Sequence, residues 1–124
     1  MSKNIFVYGT LRKGYGNHRL LKGSKLVCNA KSVEKYTMTA AGIPFVSRKP
    51  LVEITGEVYE VPDDQLPSID ALEGHPHAYK REPMSYINLD TKEQGEAELY
   101  FYEHENRRVE LIESGDYSKY RNKV

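Results

Sequence analysis

The chain has no tryptophan, one cysteine and three phenylalanines in 124 residues. A lone Cys28 rules out an internal disulfide and fits a reducing compartment, so the cytoplasm is the expected location. No charge sign dominates: 18 basic residues face 18 acidic ones, and the formal net charge is zero. A neutral surface lacks the long-range field that gathers nucleic acid or anionic lipid, and neither is an expected partner. Mean hydropathy is −0.68, and no apolar run is long enough for a membrane span. Residues 1–4 run straight into a strand-like segment, which is expected to leave no room for a secretory leader. The length suits one domain with one core, needing neither disulfide nor metal; the tail from about residue 113 is expected to be its less ordered part.

Tyrosine is abundant, with ten copies. Its apolar body and polar tip suit a cavity wall that is greasy yet hydrogen-bonding, although tyrosine is also an ordinary strand residue.

Residues 4–8, β-branched and aromatic, read as a buried strand that Gly9 ends in a tight turn. Glycines and Asn17 make residues 14–23 a loop with one helical turn near 17–21. Residues 24–41 read as one long bent strand or two short ones, and the glycine and prolines of residues 42–50 as a connection. From 51 to 61 apolar and polar residues alternate, the pattern of a strand with one face on a core. Asp64 is the expected N-cap of a helix with Pro67 in its first turn, stopped by Gly74 and Pro76. Strands over 79–89 and 96–102 follow, joined by a polar turn. The sum is an α+β fold: a small antiparallel or mixed β-barrel with one main flanking helix and short helical turns.

Leu66, Ile69 and Leu72 form the helix's apolar stripe, and continuing the spacing from Leu66 by seven residues reaches Glu73. Glu73 is thereby aimed inward, or at the edge of the buried face, just before the Gly74 break. A desolvated carboxyl there could take and give a proton near neutral pH. The alternative is a solvent-facing glutamate in a fraying last turn, which the helix dipole mildly opposes.

Several residues together carry a resemblance. Tyr8-Gly9-Thr10-Leu11 follows the first strand, and Gly14-Tyr15-Gly16-Asn17-His18 comes soon after. Leu72-Glu73-Gly74-His75-Pro76 leads to Tyr79 and Arg81, a late strand carries Ala97-Glu98-Leu99-Tyr100, and Gly115-Asp116-Tyr117 closes the series. In this order, over roughly residues 4–120, the chain resembles the γ-glutamylcyclotransferase-like family, particularly its γ-glutamylamine cyclotransferase (AIG2-like) branch. It departs from the commoner pattern in lacking tryptophan.

The resemblance implies a small β-barrel with a pocket at one end. It implies conversion of a γ-glutamyl compound to 5-oxoproline with release of an amine or amino acid, and no metal or cofactor. By position, Glu73 matches the catalytic acid/base. Tyr8, Gly9, Thr10 and Leu11 match the substrate-binding turn, Tyr79 and Tyr100 match pocket tyrosines, and Tyr117 matches a tyrosine of the tail. Consecutive N–H groups of the glycine turn would cradle the substrate carboxylate. The only partner implied is a small γ-glutamyl molecule. Oligomeric state is not legible, and a monomer is the default. Two other readings stay open: a binding module that keeps the pocket without the chemistry, and an amidase that releases glutamate.

Other residues read as structural. His75 and His77, with His18 and His104, are surface loop histidines rather than a metal set, since proline separates the first two. Cys28 is a small strand hydrophobe. Arg12-Lys13 and Arg107-Arg108 are solvated clusters, except that Arg12 flanks the cradle and could attract the substrate carboxylate. Arg81 is expected to pair with an acid across strands. Residues 9–14 resemble a phosphate loop only superficially, lacking its Gly-Lys-Ser/Thr ending.

Overall fold

A computed structural model describes residues 1–104 and 109–121, so Arg107-Arg108 lies outside the described residues. Six strands and three short helical segments follow one another. They are β1 (Ser2–Val7), a 3-10 helix (Gly16–Leu21), β2 (Lys25–Ala41), β3 (Ile43–Pro62), α1 (Leu66–Glu73), β4 (Lys80–Asn88), β5 (Gln94–Phe101), β6 (Glu110–Leu111) and α2 (Tyr117–Arg121). The strands form one mixed sheet in the order β3-β1-β5-β4-β2-β6, and β3 also pairs with β2, so the sheet curls back on itself as a partial ring. The join between β1 and β5 is parallel and consists of the single pair Ile5–Glu98; the other joins are antiparallel.

Curling lets β1 be buried on both faces. Phe6 points to the interior of the ring with Met38, Val46, Ile54, Val58, Leu99 and Phe101. Ile5 and Val7 point outward, onto Leu66 and Ile69 of α1 and onto Tyr59, Val61 and Tyr100. This explains the short, unbroken apolar character of residues 5–8, which a one-sided strand would not need. The alternation expected over residues 51–61 holds only in its first half. From Gly56 to Tyr59 both faces are covered: on the second face Tyr59 packs in a cluster with Leu11, Leu21, Leu66 and Ile69, and Glu57 accepts the Lys13 N–H. A Cβ at Gly56 would lie 2.3 Å from the Val7 carbonyl oxygen.

The segment 42–50, expected as a connection, is strand. β2 and β3 form one long hairpin turning at Gly42 (φ 83°). Pro44 sits opposite Ala40, and Pro50 falls in an irregularity between the pairs Tyr36–Val52 and Thr37–Ser47. Such irregularities are where a strand tolerates a residue without an N–H. Of the two readings of residues 24–41, the single bent strand holds: β2 has register shifts near residues 26–28, 31–35 and 36–37. At the second shift the fully buried Ser32 hydroxyl accepts the Ile54 N–H (2.9 Å) and donates to the Glu34 carbonyl (2.7 Å), supplying bonds that the broken ladder cannot.

α1 begins one residue later than expected. Gln65, not Asp64, occupies the N-cap and makes no side-chain cap bond. Its amide instead bonds the Lys22 carbonyl and the Ser24 hydroxyl, tying the helix start to the preceding loop. Gly74 ends the helix in the left-handed conformation (φ 66°), as its position promised. Leu72 corrects the assumed apolar stripe: it is 43 % exposed, while Leu66 and Ile69 are buried.

The tail is more structured than expected as far as residue 121. Ile112 and Tyr117 are buried, Thr55 donates its N–H to the Gly115 carbonyl (2.8 Å), and α2 follows. No helix among the described residues is long and apolar enough to cross a membrane.

Candidate active site

Where β1 ends, the chain turns at Tyr8 to Leu11 and leaves a cavity of about 120 Å³ against the end of α1. The turn supplies Tyr8, Gly9, Thr10 and Leu11 to its wall, α1 supplies Leu72 and Glu73, and the strands supply Tyr79, just before β4, and Tyr100. Seven of the eight residues expected at the site thus meet in one hollow. Six further lining residues were not among those expected: Phe6 and Val7 from β1, Leu72 from α1, Asn17 from the 3-10 helix, and Ile43 and Pro44 from the hairpin tip.

Tyr117 does not join them. Its side chain is fully buried in the core inside the ring, and its hydroxyl donates to the Gly42 carbonyl at 2.6 Å. It pins the tail to the hairpin tip and does not line the cavity.

Gly9 is needed for a different reason than turn conformation, since its φ is not positive. A Cβ there would lie 2.6 Å from Pro44 Cγ. The hairpin tip therefore closes directly on the turn, and only glycine leaves room for it. We expect Gly9→Ala to push the two apart, costing about 1–3 kcal/mol of stability in a denaturant melt; a melt unchanged from wild type would contradict this packing.

The turn is held from beneath. Arg12 donates its N–H to the Gly9 carbonyl, Asn17 bonds Thr10 through its main-chain N–H (to the carbonyl, 3.1 Å) and its side chain (to the hydroxyl, 2.8 Å), and Lys13 donates its N–H to Glu57 (2.9 Å). The main-chain N–H groups of Gly9, Thr10 and Leu11 donate to no acceptor among the described residues. Successive free N–H groups of this kind make an anion-binding concavity.

Arg12 does not reach toward the cavity. Its guanidinium lies between Asp116 (Nη1 to Oδ1, 2.9 Å) and Glu57 (Nε to Oε2, 3.7 Å), with all three side chains largely buried. It anchors the turn to β3 and to the start of α2, which corrects its reading as a carboxylate attractant. Arg81 pairs as foreseen, with Glu98 on the neighbouring strand at 2.7 Å and with both oxygens of Asp70 on α1 at 3.0 and 3.1 Å.

Glu73 is half-buried on the cavity wall; its main-chain carbonyl accepts the Tyr79 N–H (3.1 Å), but its carboxyl has no hydrogen-bond or ion-pair partner among the described residues. Burial, with no cation to offset it, pushes its carboxyl up from 4.5 to about 7. Its charge is felt by the hydroxyls of Tyr8, Tyr79 and Tyr100, each raised well above the phenol range, chiefly by burial. Each of these hydroxyls donates its one proton elsewhere: Tyr8 to the Tyr100 carbonyl (2.7 Å), Tyr79 to the Pro44 carbonyl (3.0 Å), and Tyr100 to Asp70 Oδ1 (2.5 Å). Around Glu73 the phenol oxygens of Tyr79 and Tyr100 are left as acceptors, while that of Tyr8 also takes a bond from the Val46 main chain.

The histidines have local partners. His75 Nδ1 accepts the Arg81 N–H, and His104 Nε2 and His18 Nδ1 bond main-chain carbonyls. No group of three or more potential ligands among the described residues could hold a metal ion. Cys28 is buried in the ring's core.

A curled mixed sheet with a carboxyl at a helix end, facing a glycine turn across a small cavity, defines a compact class of small-molecule-binding α+β domain. The chain matches the family described as "Gamma-glutamyl cyclotransferase, AIG2-like" over residues 5–119, and it belongs to that family. A Methanocaldococcus jannaschii protein provisionally named a gamma-glutamylcyclotransferase is 49 % identical over 119 residues, covering 94 % of this chain and 97 % of its own. The human gamma-glutamylaminecyclotransferase is 33 % identical over 106 residues, 76 % of this chain and 68 % of its own. Among solved structures, a mouse AIG2-like protein superposes with a TM-score of 0.83 at 26 % identity, over 93 % of this chain and 88 % of that one.

Proposed function

We propose that this chain cyclises a γ-glutamyl amine or other γ-glutamyl amino compound to 5-oxoproline and a free amine, with Glu73 carrying the proton. The single observation behind this reading is that the partnerless carboxyl of Glu73 shares a cavity of about 120 Å³ with the 9–11 turn, whose main-chain N–H groups have no acceptor among the described residues.

The substrate's α-carboxylate would sit on those N–H groups. Its α-ammonium would lie by the phenol oxygens of Tyr79 and Tyr100, whose protons are given to Pro44 and Asp70, and beside Glu73. Glu73 takes one proton from the ammonium. The freed amine attacks the γ-carbonyl carbon and a C–N bond forms, which leaves the ring nitrogen one proton in excess. Glu73 returns the first proton to the leaving nitrogen as its bond to carbon breaks, then, ionised again, passes the ring nitrogen's surplus proton to the departing amine, which leaves as an ammonium. The nucleophile is tethered within the substrate, so no protein nucleophile is needed. Holding the glutamyl chain folded captures the proximity gain, about 7–11 kcal/mol in well-oriented intramolecular reactions. A carboxyl with a midpoint near 7 is matched to both proton transfers at neutral pH.

The test is incubation with a panel of γ-glutamyl compounds, including amines, the ε-lysyl isopeptide and dipeptides, with products identified by mass. The reading expects 5-oxoproline and the free amine. Release of glutamate would assign a hydrolase, and no turnover of any compound would favour a binding module. As the reaction needs ionised Glu73 to accept a proton, kcat/KM should rise with pH through a limb near 7. A limb near 4.5, or a profile with none, would remove Glu73 from the role.

A further inference from the structure

From the geometry of α1 and β5 we infer that Asp70 is a positioning residue for the site: by holding the Tyr100 hydroxyl proton, it keeps that hydroxyl from serving as a donor to Glu73. The inference rests on the proposed role of Glu73, and sequence reasoning gave Asp70 none.

Asp70 lies one turn before Glu73 on α1 and is half-buried. Its Oδ1 accepts the Tyr100 hydroxyl at 2.5 Å, short for any O–H···O bond and typical of one to a charged acceptor. Arg81 grips both Asp70 oxygens in fork geometry, and Glu98 holds Arg81 from the other side at 2.7 Å. A carboxylate so fixed has no freedom to release the phenol. Burial alone would raise the Asp70 carboxyl, but the bonds from Arg81 and Tyr100 bring it below the usual range, so it stays charged throughout neutral pH.

Tyr100 also lines the cavity with Glu73, and the two interact electrostatically. Its hydroxyl has one proton, which can serve one acceptor. A phenol donating to Glu73 would favour the charged carboxylate and withdraw the site's poise. The other groups around Glu73 do not replace it. Tyr8 and Tyr79 give their protons to main-chain carbonyls, and the Arg81 guanidinium is spent on Asp70 and Glu98. Of the three tyrosine hydroxyls on the cavity wall, that of Tyr100 is the one with a side-chain acceptor, and Asp70 sets which way it points.

The experiment is a carbon-13 NMR titration of the Glu73 carboxyl, with no substrate present, in wild type, Asp70→Ala, Tyr100→Phe and the double variant. Asp70→Ala should lower the Glu73 midpoint by about one pH unit as Tyr100 turns to it. Tyr100→Phe should leave the midpoint near wild type, and the double variant should match Tyr100→Phe, because the hydroxyl is the intermediary. If Asp70→Ala does not fold, Asp70→Asn, which keeps the shape and removes the charge, should show a smaller shift of the same sign. An unchanged midpoint in the single variant, or the same fall in the double variant, overturns the inference. Because the readout is free of turnover, its failure is separate from failure of the proposed reaction, which the product assay alone decides.

Discussion

Replacing Glu73 with glutamine should lower kcat/KM for 5-oxoproline release by about 10²–10⁴-fold, the usual worth of general acid–base catalysis. The amide has the shape of the carboxyl but cannot shuttle a proton, so binding on the 9–11 turn should survive and KM should change little. The same substitution should make the protein more stable, which is the reverse of most losses of function. Glu73 titrates near 4.5 in an unfolded chain and near 7 in the folded one. Between those values the folded state holds the extra proton, so stability is greatest below 4.5 and falls as pH rises through 7. At about 1.4 kcal/mol per pH unit, the gap caps the gain for Glu73→Gln at about 3 kcal/mol above pH 7, and no gain is expected below pH 4.5. Urea melts of both proteins at pH 5 and pH 8 would show it: the difference should widen at the higher pH. An inactive variant that is equally destabilised at both values would mean that glutamine had disturbed the fold and not the proton chemistry.

The second large effect falls outside the cavity. Arg12→Ala should cost about 3–5 kcal/mol, the range for removing one partner from a buried charge cluster. It leaves Glu57 and Asp116 facing each other with little solvent; their side chains are only 11 % and 15 % exposed. At the size of this domain, such a loss corresponds to a fall of about 10 °C or more in Tm. Asp116 would lose more than a charge partner. Burial tends to raise its carboxyl, but its bonds from Ser118 and Arg12 hold it below the usual aspartate range. The stability it contributes is present above the ordinary aspartate value and lost as pH falls through its lowered one. The Arg12→Ala melt should accordingly approach wild type in strong acid. Because Glu57 also accepts the Lys13 N–H, the turn should loosen and KM should rise more than kcat falls. Arg12→Lys keeps the charge without the fork and should lie between. A melt of Arg12→Ala within 1 kcal/mol of wild type would contradict the anchoring role.

The parts of this site that could be read from sequence are those set by local rules. Glu73 could be singled out because seven-residue spacing from Leu66 reaches it just before the Gly74 stop, which left it inward or at the helix edge; the structure places it on the cavity wall. The strand ending at the Tyr8 turn was equally visible in residues 5–9. What remained hidden depends on where distant segments meet. Pro44 closes on Gly9 across 35 positions, and nothing near residue 44 signals a cavity wall; its prolines pointed instead to a loop. Arg12 and the acids it pairs with, Glu57 and Asp116, are far apart in the chain, so its position beside the turn suggested substrate, whereas folding turns it away. Tyr117 has the composition of a pocket tyrosine and the location of a core one. Asp70 had a legible signal that went unused: an acid one turn before Glu73, on the same short helix, followed by Arg81 after the stop. Leu72 met the apolar spacing yet stays half in solvent, on the cavity wall and not in the core.

Every part of this functional reading depends on the carboxyl of Glu73 being held away from water beside the turn. Carbon-13 NMR of that carboxyl in the free wild-type protein measures it directly. The account predicts a titration midpoint near 7 that vanishes in Glu73→Gln; a midpoint near 4.5, where an exposed glutamate titrates, would contradict it.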